Sequence, residues 1–122
     1  HDSYNSPDSV NSIKWNDVTL RCGVMEYYRG LIAVRKFFPQ FRMRDAESIR
    51  KIRFETLEGG AVAADFGGLL LIVNPAAHPL KYENGRRMMV YADHITAGTR
   101  PLFIADGAVS VAPRGIILAE YR

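Results

Sequence analysis

Between residues 18 and 38 apolar side chains recur at three- and four-residue steps, with Leu20, Val24, Tyr27, Leu31, Val34 and Phe38 on one stripe. That is the period of an α-helix with a buried face. Met25, Tyr28 and Ile32 widen the stripe sideways, while Arg21, Glu26, Arg29, Arg35 and Lys36 occupy the polar positions. The spacing predicts a helix from Val18 to Phe37, capped by Asn16 or Asp17. Pro39 ends it and biases Phe38 away from helical geometry. Gly23 and Gly30 each cost about 1 kcal/mol relative to Ala in a helix interior. Their presence predicts that another backbone approaches closely at both.

From Asp45 onward the period changes. Ile49 to Leu57 contains a stretch of alternation, stopped by Glu58-Gly59-Gly60, and Ala61 to Phe66 forms a second run before Gly67-Gly68. Leu69 to Val73 is continuously apolar, as in a strand covered on both faces, and Asn74-Pro75 breaks it. Short strands follow at His78 to Tyr82, Met88 to Ala92, Leu102 to Ile104, Ala108 to Val111 and Ile116 to Glu120. Asp106-Gly107, between Ile104 and Val109, predicts a hairpin turn. The fold expected is mainly β, an antiparallel β-sandwich of about seven or eight short strands. It occupies residues 39–122, behind the helix of 18–38. Residues 1–17, rich in Ser, Asn and Asp, make an irregular arm. Tyr4, Val10, Ile13 and Trp15 give that arm something to pack with.

Composition removes several classes of function. The chain has 122 residues, 48% apolar, 24% charged and 11% aromatic, which suits one folded domain burying roughly 65% of its unfolded surface. The single cysteine, Cys22, excludes an internal disulfide and a thiolate-rich zinc site. Its place inside the helix predicts a buried, inert thiol. No apolar run reaches the ~18 residues of a membrane span, and residues 1–20 lack a signal-peptide core. These features leave the compartment open between a cytoplasmic setting and a secreted parent protein, the first slightly favoured, and no membrane partner is expected. The net charge is a modest +3. The densest basic set, Arg42, Arg44, Arg50, Lys51 and Arg53, lacks the interleaved aromatics of a nucleic-acid surface, so no nucleic-acid partner is expected.

Candidate chemistry is sparse. His1, His78 and His94 show no ligand spacing, and no phosphate-cradling loop, dinucleotide fingerprint or nucleophile elbow is present. Neither a metal nor a cofactor is expected. A pair of carboxylates is enough for glycoside hydrolysis, but Glu55, Asp65, Glu83 and Glu120 fall at outward or turn positions. Only Asp8 sits in a distinctive local sequence.

Two stretches carry a resemblance. Tyr4-Asn5-Ser6-Pro7-Asp8-Ser9-Val10-Asn11, followed by Trp15, resembles the loop after the last barrel strand of type I pullulanases. Glu26 to Lys36, with Pro39, Phe41 and Arg42 behind it, is similar to that family's last barrel helix and its exit. Pullulanases are debranching enzymes of glycoside hydrolase family 13, in the α-amylase superfamily, and cleave α-1,6 linkages in pullulan, starch and glycogen dextrins. Leu70 to Pro75 and Val109 to Leu118 resemble, more loosely, strands of the family's C-terminal all-β domain, whereas Ala76 to Ala92 departs from it. In the family the catalytic Asp, Glu and Asp lie upstream on barrel strands, and none of those motifs occurs in these 122 residues.

The resemblance therefore implies a C-terminal, non-catalytic piece of a pullulanase. Its partner would be its own (β/α)8 barrel, and it would meet α-glucan through the parent enzyme. Asn5 and Asp8 would lie on the substrate side of the barrel, either touching substrate or capping a turn. A second reading is a glucan-binding module that stacks sugars on exposed aromatics, Tyr82 and Tyr91 above all, with Phe103 and Tyr121 also available. Core packing of these rings is the alternative. A helix taken from its barrel should expose Met25, Tyr28 and Ile32 together with Trp15 from the arm, leaving the chain a monomer or a weak dimer.

Overall fold

The computed structural model describes Pro7, Asn16 and residues 21–122. Helix α1 runs Cys22–Phe37, followed by a 3-10 turn at Pro39–Arg42 and a short helix α2 at Ala46–Arg50. Six strands follow: β1 Arg53–Thr56, β2 Val62–Asp65, β3 Leu69–Asn74, β4 Leu80–Ala92, β5 Phe103–Val111 and β6 Gly115–Tyr121. All pairings are antiparallel, in the order β1-β2-β3-β6-β4-β5.

This continuous sheet becomes a sandwich by folding over on itself. Gly85 in β4 and Gly107 in β5 have φ of 69° and 81°, and a Cβ on Gly107 would stand 3.8 Å from the Gly85 Cα. The register passes from Glu83 opposite Ala108 to Arg87 opposite Asp106, so residues 84–86 face Gly107 alone. Surplus residues on one strand bend and twist a pair. The halves at Met88–Val90 and Phe103–Ala105 continue the β3–β6 layer, and the halves at Leu80–Glu83 and Ala108–Val111 turn across it. Leu70 and Ile72 of β3 thereby share one core with Leu80, Met88 and Val90 of β4, Val109 and Val111 of β5, and Ile117 of β6.

The antiparallel sandwich is as expected, but its strands are fewer and longer. Asp106-Gly107 is not a hairpin turn. It lies inside β5 opposite Asn84-Gly85, so each pair of short strands expected on either side is one bent strand. The same positive φ that closes a hairpin also bends a paired strand, so the dipeptide alone does not tell the two apart. The alternation expected from Ile49 also begins later. The Asp45 carboxylate accepts the Ser48 N–H at 2.7 Å and caps α2, which takes Ile49 into a helical turn and starts β1 at Arg53.

The other face of the sheet carries α1. Val34 and Phe38 are buried against Leu69, Leu118, Ala92 and Tyr91, with Leu31, Phe41 and Phe66 at the margin. Phe38 meets Tyr91 edge-on at 5.0 Å and Phe41 meets Phe66 at 5.2 Å, the favoured geometry of aromatic pairs. The Tyr27 hydroxyl donates to the Asp93 carbonyl at 2.7 Å. Val24, placed on the buried stripe by its spacing, is exposed, and so is Cys22, expected to be buried. The helix makes its sheet contacts from Tyr27 onward, beyond both residues. Asn16 has helical geometry and so does not cap α1, whose N-cap position is Arg21; Asp17 and Val18 lie outside the described residues.

One end of the sandwich is tied by a buried amide. Asn74 ends β3, and its Nδ2 donates to the carbonyls of His78 at 2.9 Å and Ala112 at 3.1 Å, while its Oδ1 accepts the Ala76 N–H at 3.1 Å. It joins the β3–β4 connection to the β5–β6 turn.

The two helix glycines divide. A Cβ on Gly30 would lie 2.0 Å from the Ala97 carbonyl oxygen, whereas one on Gly23 would meet nothing within 4 Å. Backbone approach explains Gly30 only. Gly30→Ala is therefore expected to destabilise the chain by about 1–3 kcal/mol through overpacking. Gly23→Ala should stabilise it by up to about 1 kcal/mol. Urea unfolding of the two variants beside the parent chain checks both signs.

Candidate binding cleft

The second layer of the sandwich stops short of edge strand β1 and leaves a cleft of about 370 Å³ at the mouth of the inner core. Alternation along β1 directs Arg53 and Glu55 to this inner side, in register with Asp65 and Ala63 of β2. Tyr82, Asn84 and Arg86 enter from the bend of β4, and Tyr121 from the end of β6. Leu70 and Ala63 supply the apolar floor.

Asp65 organises the lining. One carboxylate oxygen accepts the N–H groups of Gly67 at 2.9 Å and Gly68 at 3.3 Å, which holds the β2–β3 turn, and the other accepts the Tyr121 hydroxyl. Arg86 lies over the Tyr121 ring at 5.0 Å, within cation–π range. The Tyr82 hydroxyl faces a Glu55 oxygen at 3.5 Å. The hydrogen bond to Asp65, followed by burial, raises the Tyr121 phenol above its ordinary value. For Tyr82 burial is the larger cause and the Glu55 charge the second. Two guanidinium groups and two carboxylates face the same space, so its formal charge balances.

Of the aromatics named from the sequence, Tyr82 and Tyr121 line this cleft, while Phe103 is exposed elsewhere, at the start of β5. Tyr91 does not suit sugar stacking. It is 6% exposed, lies against Phe38 and Phe37 beneath α1, and turns its hydroxyl toward Glu120 at 3.4 Å. Its strand continues past the bend onto the helix-covered face, which alternation alone could not reveal. Asn5 and Asp8 lie outside the described residues. Nothing local in the sequence brings Arg53, Asn84 and Arg86 together: Asn84-Gly85 reads as a turn, and its role as a bend that carries Arg86 into the cleft depends on pairing with β5.

A second surface lies on the opposite side. The outward side of α1 exposes Met25, Tyr28 at 64% and Ile32 at 55%. An apolar groove of about 240 Å³ runs beside the helix between Leu31, Phe41, Leu71 and Ile116. Val62 and Val73, a cross-strand pair, are also exposed. Ion pairs on α1 are confined to Glu26 with Arg29 among the described residues. Met25, Tyr28 and Ile32 are exposed as expected, while Trp15, expected beside them, lies outside the described residues.

No family model matches the chain. Among solved structures, the pullulanase from Bacillus acidopullulyticus superposes with a TM-score of 0.85 at 22% identity, over 97% of this chain and 16% of that one. The Anoxybacillus sp. LM18-11 pullulanase complexed with maltotetraose gives 0.81 at 18% identity, over 97% of this chain and 18% of that one. The type I pullulanase of Bacillus subtilis str. 168 complexed with maltose gives 0.79 at 22% identity, over 98% and 18%. The chain has the fold of a pullulanase segment. It spans less than a fifth of each of these three proteins.

The tyrosines make stability depend on alkaline pH. Tyr27, Tyr82, Tyr91 and Tyr121 all hold their protons more tightly in the folded state than a free phenol does. As pH climbs past about 10 the unfolded chain loses these protons first. Their stabilisation is therefore complete below that pH and lost as pH rises toward the folded values. Tyr121→Phe removes one contributor and should flatten the fall. Urea midpoints measured from about pH 8 to about pH 11 check this.

Proposed function

We propose that this chain is the C-terminal β-sandwich region, with the last barrel helix, of a pullulanase-like hydrolase that debranches α-1,6-linked glucan in pullulan, starch and glycogen dextrins. Its role is structural support of the catalytic (β/α)8 barrel, and it carries no catalytic residue of its own. The observation that carries this reading is the superposition of almost the whole chain, helix and sheet together, on a fraction of each pullulanase. The two motifs between residues 4 and 42 support it independently.

The uncovered side of α1 gives the role its physics. A surface helix of a complete domain turns a polar face outward, whereas α1 offers Val24, Met25, Tyr28 and Ile32. A barrel seated there would gain about 1.5–3 kcal/mol for each such side chain fully covered, before ordering costs. The partner in this reading is the barrel of the same protein. The substrate is an α-glucan, in keeping with the maltotetraose and maltose of the solved pullulanases. Asn5 and Asp8 would approach that substrate from the loop ahead of the helix.

The purified chain is expected to release no reducing sugar from pullulan; turnover abolished by a single carboxylate substitution would overturn the reading. The reading frame upstream of His1 is expected to encode a barrel with three catalytic carboxylates, and a start codon immediately before His1 would refute it. Ile32→Glu should lower the thermal midpoint of the enzyme so encoded while leaving the isolated chain folded by circular dichroism. In sedimentation the isolated chain should be a monomer or a weak dimer, and the same substitution should remove any self-association through this helix face.

A further inference from the structure

We propose that edge strand β1 pairs with β1 of a second copy of this chain, antiparallel and in one register centred on Phe54. This goes beyond the support role and makes no use of α1, since the surface involved is the rim of the sheet. The order β1-β2-β3-β6-β4-β5 leaves two edges. One of them, β5, is bent at Gly107, and a bent edge offers no straight run to a further strand. Among the described residues β1 is paired only to β2, and all four of its residues are exposed.

The backbone of β1 fixes which residues a new strand can bond. The Leu57 N–H donates to the Ala61 carbonyl at 2.8 Å, continuing the register that sets Glu55 opposite Ala63 and Arg53 opposite Asp65. Hydrogen-bonded pairs alternate along an antiparallel ladder, so Arg53, Glu55 and Leu57 turn their backbone groups to β2. Phe54 and Thr56 turn theirs away from the sheet. Two copies related by a two-fold axis at Phe54 therefore exchange both Phe54 hydrogen bonds.

Charge selects that register and its occupant. In it Phe54 stands opposite its own copy, and each Arg53 stands opposite the Glu55 of the other chain. Both ion pairs fall at non-hydrogen-bonded positions, where facing side chains come closest. Centring the pairing on Arg53 or on Glu55 sets like charges face to face. A shift of one residue sets outward backbone groups against inward ones. The strand that complements β1 thus reads basic, apolar, acidic, which is the order Arg53-Phe54-Glu55 of β1 itself. Charges on a short edge strand commonly guard it against pairing; here they block every register but one. Neither Arg53 nor Glu55 takes part in an ion pair among the described residues. Phe54 is 72% exposed, the most of any large apolar side chain described. In the pair its ring meets its symmetry mate on the face that also shows Val62 and Val73, an aromatic cross-strand contact. So short a strand covers less than the ~1,200–2,000 Å² of a stable interface, and a dissociation constant of about 0.1–1 mM is expected.

The test uses the 122-residue chain carrying Ile32→Glu, which takes the helix face out of play, followed by NMR on dilution from about 1 mM. The amide shifts of Arg53, Phe54, Glu55 and Thr56 are expected to follow a monomer–dimer isotherm. Arg53→Glu and Glu55→Arg, each added to that chain, set like charges opposite one another and should each weaken pairing by about tenfold. Both alter exposed side chains, and their own spectra report whether they stay folded. An equimolar mixture of the two variants restores both ion pairs between unlike chains and should associate as tightly as the Ile32→Glu chain. Shifts independent of concentration, shifts confined to residues outside β1, pairing unchanged in both variants, or a mixture no tighter than either variant alone would each overturn the proposal. The support role is read from the upstream frame and the thermal midpoint of the whole enzyme, so either idea can fail alone.

Discussion

The coupled bend at Gly85 and Gly107 is the constraint on which the rest of the structure depends. A six-stranded sheet without it would be an open layer with two faces to cover, and among the described residues α1 packs on one of them. With it, the far halves of β4 and β5 close over β3 and β6, and Met88, Val111 and Ile72 become fully buried. Both glycines occupy left-handed backbone geometry, which residues with a Cβ adopt reluctantly. The bend also decides where the second layer ends, and so opens the cleft beside β1. It leaves the opposite face of β3, β6 and the end of β4 free for α1.

Two cores of different character result. The inner one is aliphatic and drawn from all the long strands. The outer one is a wedge of aromatic rings, with Phe38, Tyr91, Phe41 and Phe66 locking the helix exit to the sheet. Gly30 lets the connection after β4 lie directly on the helix, with Tyr27 bonded to Asp93 a turn away. Contact therefore concentrates along the second half of α1. Val24, Met25, Tyr28 and Ile32 on its outward side face solvent, and the proposed support role assigns those to a barrel.

Local period was enough to read the helix, its end at Phe37 and Pro39, the buried β3 strand and the antiparallel β class. These features are written in the sequence at the scale of one element. What could not be read there depends on partners remote in the chain. Asp106-Gly107 becomes a bend because Asn84-Gly85 stands opposite. Tyr91 is buried because the strand passes beneath a helix some 50 residues earlier in the chain (about one domain half away, beyond any local window). For the same reason only Tyr82 of the two proposed stacking residues reaches an open cleft. Its companions Arg53 and Arg86 come from edge strand β1 and from the bend of β4 and share no motif.

The position of β6 has a kinetic meaning. It is the last of the six strands in chain order, yet it sits near the middle of the sheet, paired to β3 on one side and β4 on the other. The β1–β2–β3 meander and the β4–β5 hairpin can each form from neighbouring residues, at modest loop-closure cost. Their union requires Leu70 to find Ala119 and Val90 to find the same residue, contacts of long sequence separation that slow folding in β proteins. Until β6 docks, β3 and β4 each present an unpaired edge, which is the feature that makes nascent sheets prone to wrong pairing. The two halves of this domain are thus assembled by a keystone that synthesis delivers after both.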